Sequence, residues 1–326
     1  MSMPMTEPDA LVRFGYEQAP AELLLQQPDV LAVIGFGASA ALPSDPRVLR
    51  VGLEPVQASA LEVWRGVAPV HSGRDGDLRW SSDGEHLFFA IEADEAAHGG
   101  IVAAAQYAYH TLTAFVSGGS TPHLLRLWNY LDAINLGDGD EERYRRFCDG
   151  RAQGMRAAAG TRYPAATAIG RQDGVRVLQV YGLAARNAGA AIENPRQVSA
   201  WRYPRQYGPT APTFARGMRT SAAQLLISGT AAVVGHASRH EDDLDAQIEE
   251  TLANLDSLLR QAAVPDAQLG AGSLLKAYVR DAADAAVLEA ALRRRVPRLG
   301  GLLLLAGDIC RRELLVEIDG SHHAAS

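Results

Sequence analysis

One order of predicted elements occurs twice along the chain, and this recurrence is the strongest constraint on its fold. Apolar runs of strand length alternate with Pro-free segments whose apolar residues recur every three or four positions, which predicts strands and helices in alternation. The first copy consists of strand His86–Glu92, helix Glu95–Ser117, strand Leu124–Ile134, helix Gly139–Ala158, and strands Ala165–Ile169 and Val175–Gly182. The second consists of strand Gln224–Val234, helix Asp242–Ala262, strand Leu274–Val279, helix Ala282–Arg295, and strands Gly301–Ala306 and Glu313–Ile318.

The recurrence favours a tandem duplication of one α/β unit. Gln106 and Gly182 lie 76 positions apart (182 − 106), and their counterparts Gln247 and Gly320 lie 73 apart (320 − 247), so the two copies align with small gaps. We predict a mixed α/β (α+β) fold of two units, each with a mixed sheet and two helices packed on one face. The last two strands of each unit are expected to pair with each other as a hairpin.

The predicted domains follow from this repeat. The first spans residues 1–190, with a divergent stretch of 85 residues at its start, and the second spans residues 191–326. Residues 55–84 are polar and Gly-rich, which predicts loops with one short strand pairing. The polar C-terminal residues, with His322 and His323, are expected to be frayed.

The charge balance and the cysteine content exclude several classes of protein. The chain has 31 basic and 38 acidic residues, a net charge of −7 and a pI near 5.7, which argues against binding to nucleic acid or to an anionic membrane. No apolar run reaches the roughly 18 residues of a membrane span. The first residues lack the basic start and apolar core of a secretory signal, so we expect a cytoplasmic protein. Cys148 and Cys310 are too few for a disulfide framework or a four-thiolate metal site.

Two motifs that could indicate a cofactor or a metal are better explained by local structure. The Gly-Phe-Gly triplet at residues 35–37 follows a predicted strand, but Ala40 stands where a dinucleotide-binding loop needs its third glycine. His236 and His240 have a spacing compatible with zinc, yet they precede a helix start where the acidic residues 242–243 fit as N-terminal caps. We therefore expect no metal and no cofactor.

A segment between the two units is rich in cations and aromatic side chains. Residues 193–219 contain several arginines, four prolines and the aromatic residues Trp201, Tyr203, Tyr207 and Phe214. One interpretation is a Pro-stiffened surface connection whose arginines pair with nearby acids. The other is a rigid loop that offers guanidinium groups to a carboxylate-bearing ligand. The residues alone leave both open.

The last predicted strand carries a candidate proton donor. Alternation along residues 313–319 places Leu314, Val316 and Ile318 on one face, with Glu317, Leu315 and two other acids on the opposite face. At the edge of an apolar cleft the pKa of Glu317 would rise, which would make it a usable acid near neutral pH. A solvated strand glutamate is the alternative, and a small buried residue is the default interpretation of Cys310.

Several longer strings of residues resemble known families. The C-terminal part, with Ser228-Gly229-Thr230, QIEETLANLDSLL at residues 247–259 and LVEI at residues 315–318, resembles the RidA/YjgF pattern. More specific strings are WNYLDAIN at residues 128–135, YRRFCDGR at residues 144–151, ENPRQVSAWRYP at residues 193–204 and YGPTAPTFAR at residues 207–216. Together they are similar to the chorismatase family, whose members are built from RidA-like units and release pyruvate from chorismate.

The resemblance implies a cofactor-free enzyme that acts on the small molecule chorismate. It implies Glu317 as the general acid that protonates the enolpyruvyl group, whereas Gln179 occupies the equivalent position of the first unit and cannot donate a carboxyl proton. In the hydroxybenzoate-forming members, the 4-hydroxyl of the substrate then attacks the ring as pyruvate leaves, through an arene oxide that aromatises. The product would be 3-hydroxybenzoate, with 4-hydroxybenzoate as a second product, since the ending ICRRELLVEIDG is most similar to dual-product members of pigment and ubiquinone precursor supply.

The resemblance also implies roles for other residues of the site. Gly229 and Cys310 would shape the pocket around the ring, and Arg202 and Arg216 would clamp a carboxylate. Arg151 and Tyr207 would orient the substrate, and Tyr144 and Arg162 would add further contacts.

Three other functions remain open from the sequence. They are a RidA-type enamine or imine deaminase, a hydrolytic chorismatase that releases a dihydroxycyclohexadiene carboxylate, and a non-catalytic small-molecule sensor. The oligomeric state is open as well. RidA-like units usually form trimers, whereas a tandem duplication could supply that interface within a monomer.

Overall fold

The structure is a computed structural model that describes residues 11–38, 42–56, 60–155 and 163–324. Within these residues three large sheets enclose a common core, and the longer helices pack on the outer faces of the sheets. No helix in this part of the chain is long and apolar enough to cross a membrane.

A four-stranded sheet precedes both units. Its elements are β1 (Arg13–Glu17), α1 (Ala21–Leu24), β2 (Val30–Phe36), β3 (Val48–Val51) and β4 (Leu61–Arg65). The strands pair in the order β1-β4-β2-β3. All seven residues of β2 are buried, because α1 covers one of its faces and the common core covers the other.

The first unit contributes a sheet with two long helices on its outer face. Its elements are β5 (His71–Asp75), β6 (Leu78–Ser82), β7 (His86–Asp94), α2 (Glu95–His98), α3 (Ile101–Gly118), β8 (His123–Asp132), α4 (Arg143–Gly154), β9 (Ala165–Arg171) and β10 (Val177–Ala185). The predicted helix Glu95–Ser117 is divided into α2 and α3 at Gly99 and Gly100, whose φ angles of 82° and 111° are incompatible with a continuous helix. The prediction of loops at residues 55–84 is wrong, since β4, β5 and β6 lie there.

The second unit repeats this plan. Its elements are β11 (Ala190–Ile192), β12 (Gly217–Arg219), β13 (Gln224–Thr230), β14 (Val233–Val234), β15 (Ala237–Ser238), α5 (Leu244–Ala262), β16 (Ser273–Val279), α6 (Ala285–Arg295), β17 (Gly301–Ala306), β18 (Asp308–Ile309) and β19 (Val316–His323). Asp243 caps α5 by accepting a hydrogen bond from the backbone N–H of Ala246, as the acidic helix start predicts.

The two sheets share one strand order, so the predicted mixed α/β fold with a repeated unit is confirmed. The first sheet of the repeat runs β5-β6-β7-β10-β8-β9, with β18 added beside β9, and the second runs β11-β12-β13-β19-β16-β17. The expected hairpins are wrong: β9 pairs in parallel with β8, and β17 with β16. The crossover helices α4 and α6 return the chain in the parallel direction, and the final strand of each unit inserts on the far side of β8 or β16. The domain division at residue 190 stays a prediction.

Strand β19 begins and ends later than the sequence indicates. Val316 and Ile318 pack under the helices of the second unit, and Glu317 faces the opposite side, in agreement with the predicted alternation. Leu315, which was expected on the face of Glu317, precedes the strand and packs on the helix side. His322 is 2% exposed and its Nδ1 lies 2.9 Å from Ser273 Oγ, so the expectation of a frayed tail at this residue is wrong.

A buried ion pair joins the four-stranded sheet to the second unit. Along β16, Leu275, Ala277 and Val279 face the helices, whereas Lys276 points into the common core. Lys276 Nζ donates to Glu62 Oε2 of β4 at 2.6 Å and to the hydroxyl of Tyr181 at 3.0 Å. Burial alone would lower the pKa of Lys276, but the adjacent Glu62 carboxylate outweighs it and raises that pKa to about 12.

Replacing this lysine tests how much the fold depends on the pair. Lys276→Met should lower the free energy of unfolding by about 3 kcal/mol or more, because it leaves the Glu62 carboxylate buried without its cation. Urea unfolding followed by circular dichroism measures the loss. The double variant Glu62→Gln/Lys276→Met removes both charges and should recover most of it; an equal loss in the two variants would contradict this account.

Candidate active site

A cleft of about 420 Å³ lies where the two units meet. The first unit contributes α4 and β9 to its walls, and the second unit contributes β13, β19 and residues 310–314. The segment that links the units contributes further lining residues between positions 197 and 216. The site is therefore completed only when both units are in contact.

Glu317 is the most deeply buried of the four acids that line this cleft. It lies on β19, is 5% exposed, and makes no hydrogen bond with the described residues. Loss of hydration on burial, reinforced by the charge of Asp319, raises the pKa of Glu317 to about 8, although three arginines oppose the shift. The carboxyl group therefore keeps its proton at neutral pH and faces a cavity, which is the arrangement a general acid needs.

Gly229 is what allows Glu317 to occupy this position. The pairing of β13 with β19 shifts between Ile227 and Thr230, which leaves Ser228 and Gly229 in an irregularity opposite Asp319, two residues from the acid. A Cβ atom added at Gly229 would overlap Oε1 of Glu317 and would also approach Thr167 Oγ1 at 3.3 Å. A side chain here would displace the carboxyl group, so the predicted role of Gly229 in shaping the pocket has a steric basis.

Five arginines line the cleft. Arg145 pairs with Glu142 and Arg312 with Asp138, and the other three are Arg151, Arg216 and Arg311. Arg216 donates to the carbonyl of Val198 at 2.9 Å and to the hydroxyl of Tyr203 at 2.6 Å, and it is 5% exposed. Arg151 donates to the carbonyl of Thr213 at 2.9 Å. Each of these two cations also has a buried Nε without a partner among the described residues, which indicates that their positions are fixed by fewer hydrogen bonds than they could make.

Arg311 is the third cation, and the sequence analysis missed it. Its Nη1 donates to the carbonyl of His236 at 2.9 Å and to Ser238 Oγ at 3.0 Å. Its guanidinium lies over the rings of Tyr207, 4.1 Å from the centroid, and Tyr203, at 5.1 Å. The adjacency of Arg311 to Cys310 in the sequence is the signal that could have revealed it.

Helix α4 presents Tyr144 and Arg151 to the cleft because it packs very closely on α3. Cβ atoms added at Gly150 and Gly154 would overlap the carbonyl oxygens of Val102 and Gln106 in α3. Side chains larger than hydrogen at these positions would push α4 outwards and carry Tyr144 and Arg151 with it.

Of the nine predicted site residues, seven lie together, one lies elsewhere and one is outside the described residues. Tyr144, Arg151, Tyr207, Arg216, Gly229, Cys310 and Glu317 all line the cleft. Burial raises the pKa of the Cys310 thiol, so it faces the cleft in its neutral form. Arg202 is exposed and is not among the lining residues, and Arg162 lies outside the described residues.

The linking segment combines the two interpretations that the sequence left open. Arg196 pairs with Glu250 and Arg205 pairs with Asp140, as a surface connection would. Arg216, at the end of the same segment, is buried and lines the cleft. The segment is thus anchored by some arginines and contributes another to the site.

The equivalent position of the first unit is closed. Gln179 on β10 lies opposite Tyr130 of β8, as Glu317 on β19 lies opposite Tyr278 of β16, so the two positions correspond. The side-chain amide of Gln179 donates to the carbonyl of Arg50 at 2.8 Å and to Glu92 Oε1 at 2.7 Å. The four-stranded sheet, whose strand β3 contains Arg50, thus covers this position.

The arrangement can bind an anion and protonate it. Three cations can neutralise a ligand with two carboxylates, which otherwise loses strong hydration on entering a cleft. A neutral carboxyl group beside them can transfer a proton to the bound molecule. Among the described residues no cluster of His, Cys, Asp and Glu is grouped to hold a metal ion.

Comparison with known proteins gives consistent matches. The family model described as "Chorismatase FkbO/Hyg5-like, N-terminal" matches residues 62–184. The 3-hydroxybenzoate synthase of Streptomyces hygroscopicus is 34% identical over 283 residues, which cover 82% of each chain. A chorismatase of Streptomyces rapamycinicus is 34% identical over 279 residues, 80% of this chain and 82% of that protein. A chorismatase crystal structure superposes with a TM-score of 0.84 at 30% identity, covering 97% of this chain and 100% of the other.

The protonation of Glu317 should be visible in the stability of the fold. Its folded pKa of about 8 lies above the ~4.3 of an unfolded glutamate, so its contribution to stability is present below the unfolded value and is lost as pH rises through about 8. Glu317→Gln keeps the shape without the titration. Its melting temperature should exceed that of the wild type by roughly 5 °C near pH 9 and match it near pH 5.

Differential scanning fluorimetry across this pH range measures the difference. Glu249→Gln on the outer face of α5, where the glutamate is exposed, is the matched control and should show no such divergence. A constant difference between wild type and Glu317→Gln at all pH values would show that the carboxyl group is not protonated in the fold.

Proposed function

The chain belongs to the chorismatase family, and from this premise we propose that it converts chorismate to 3-hydroxybenzoate and pyruvate. The observation that carries the proposal is the buried Glu317 carboxyl group, whose pKa is raised to about 8 and which faces a cavity lined by Arg151, Arg216 and Arg311 among other residues. Chorismate has two carboxylates and an enol ether that reacts only after its methylene carbon is protonated. The arginines can bind the two carboxylates, and Glu317 can supply the proton.

The reaction can proceed without a second substrate. Glu317 transfers its proton to the methylene carbon, which leaves positive charge on the ether carbon. The bond between the ring carbon and the ether oxygen then breaks, its electron pair stays with that oxygen, and pyruvate forms as the ketone. The 4-hydroxyl oxygen attacks the same ring carbon and gives its proton to the Glu317 carboxylate, and the resulting arene oxide opens and aromatises. All atoms of chorismate are recovered in hydroxybenzoate and pyruvate.

We assign the two carboxylates of the substrate to the arginines that line the cleft. Arg216 and Arg311 flank Glu317 closely enough to act on its charge, so we propose that they bind the carboxylate of the enolpyruvyl group. Arg151, on the first unit, would bind the ring carboxylate, with Tyr144 and Tyr207 as hydroxyl donors. Arg202, which the family resemblance placed in this clamp, is exposed and has no part in this assignment.

Cys310 and Gly229 support the choice of product. Both line the cleft beside Glu317, and a neutral thiol cannot activate water as a base would. Attack by the substrate's own hydroxyl is then favoured over hydrolysis. Release of 4-hydroxybenzoate as a second product, a role in pigment or ubiquinone precursor supply, and the cytoplasmic location stay predictions.

One assay tests the activity. Purified protein mixed with chorismate should release pyruvate, measured by coupling to lactate dehydrogenase, and an equal amount of hydroxybenzoate, measured by liquid chromatography. Glu317→Gln should lower kcat at least about 1,000-fold, because the amide cannot donate a carboxyl proton, while a chorismate analogue still raises its melting temperature. Pyruvate without an aromatic product would indicate the hydrolytic reaction, and no pyruvate would refute the proposal and leave the deaminase or the sensor.

The pH profile tests the assigned acid. Only the protonated form of Glu317 can start the reaction, so kcat/KM should be lost as pH rises through about 8, tenfold for each further pH unit. Steady-state rates at saturating and at low chorismate across this range measure the profile. An alkaline limb near the pKa of an ordinary glutamate would contradict the assignment.

A further inference from the structure

Two carboxyl groups of β19 share the buried face that holds the catalytic acid. Glu317 and Asp319 are two residues apart on one strand, so they point to the same side of the sheet. They are 5% and 0% exposed. Two neighbouring carboxylates withdrawn from water repel each other strongly, so the site strongly favours a single charge on the pair.

The surroundings determine which of the two is charged. Asp319 Oδ2 accepts hydrogen bonds from Trp128 Nε1 at 3.1 Å, Thr167 Oγ1 at 2.9 Å and the hydroxyl of Tyr278 at 2.9 Å. Arg126 lies 3.4 Å from the same oxygen. Donors converging on one oxygen stabilise the ionised form, and Glu317 has no hydrogen bond within the described residues. Burial and the charge of Asp319 raise the pKa of Glu317, so the proton of the pair lies on Glu317.

Part of the Asp319 charge is left uncompensated. Its second oxygen, Oδ1, is buried and has no hydrogen-bond partner in the described part of the chain. Thr167 and Arg126, which hold the other oxygen, are themselves joined by a hydrogen bond of 2.5 Å, and Tyr130 lies 3.0 Å from the hydroxyl of Tyr278. These partners fix the carboxylate in place, so its field acts on Glu317 without relaxation of the surroundings.

We propose that Asp319 is a positioning residue whose fixed, partly uncompensated carboxylate keeps Glu317 in the protonated form that the reaction requires. The proposal rests on the proposed function and adds a second residue to it. Asp319 lies behind Glu317, outside the residues that line the cleft, and acts only through its neighbour.

The other groups that act on Glu317 have to be included in any account of its titration. They are Arg126 on β8, Arg216 beside β12, Arg311 in the loop after β18, Cys310 in the same loop and Tyr144 on α4. The three arginines favour the ionised form of Glu317 and therefore oppose Asp319. Once the negative charge of Asp319 is removed, these cations favour ionisation of Glu317 without that opposition.

The test is the pH profile of Asp319→Asn, whose amide oxygen can still accept from the same donors. With the negative neighbour gone, Glu317 should ionise at lower pH. The alkaline limb of kcat/KM should move down by at least about one pH unit, a tenfold loss near pH 8. Glu249→Gln, which replaces an exposed acid on the outer face of α5, is the matched control and should not move the limb.

A second measurement does not depend on turnover. Difference infrared spectroscopy of the free protein, with Glu317→Gln as reference, follows the protonated carboxyl signal of Glu317 directly. That signal should disappear at lower pH in Asp319→Asn than in wild type. Asp319→Ser, which keeps a hydroxyl acceptor among the same donors, replaces the asparagine variant if that one does not fold.

Each outcome of these experiments either supports or contradicts the role of Asp319 in keeping Glu317 protonated. An unchanged limb and an unchanged infrared titration in a folded Asp319 variant would overturn the inference, and so would an equal shift in Glu249→Gln. If wild-type protein releases no pyruvate from chorismate, the proposed function fails, but the infrared titration still decides whether Asp319 sets the protonation of Glu317.

Discussion

Three sheets meet around one line of buried polar side chains, and the cleft depends on that line. Glu62 belongs to the four-stranded sheet, Lys276 to the second unit and Tyr181 to the first unit. The ammonium group of Lys276 donates hydrogen bonds to both of the others. Beyond them, Tyr278 links Tyr130 to Asp319, behind the cleft. Buried polar groups are stable only when partnered, so this line fixes how the sheets face one another. The position of Glu317 relative to the first unit follows from it.

The duplication explains why the described residues hold one open site rather than two. The register of the strands makes Gln179 and Glu317 equivalent. In the first unit the four-stranded sheet covers this position, and Arg50 and Glu92 accept hydrogen bonds from the side-chain amide nitrogen of the glutamine. In the second unit the equivalent position faces the cleft, and an acid is retained there. The extra sheet therefore closes the redundant site while it completes the common core.

Local patterns predicted the elements well and their pairing poorly. Apolar periodicity located α5 and most strands, because each element must bury one face. It could not show that β19 inserts between β13 and β16, since strand order depends on where the crossover helix returns the chain. For the same reason Arg202 was predicted in the site and Arg311 was missed. Whether each of these arginines lies in the cleft depends on how its loop folds back, and the spacing of residues along the chain does not determine that.

The sequence by itself determined the repeated α/β plan, the alternation that sends Glu317 away from the helices, and the absence of a side chain at Gly229. These are properties of neighbours along the chain. Only the tertiary structure decided that Glu317 is buried, that Asp319 lies behind it and accepts hydrogen bonds from Trp128 and Thr167, and that the arginines come from three separate segments. The protonation of an acid depends on every charge and solvent molecule around it, and those are set by the packing of distant segments.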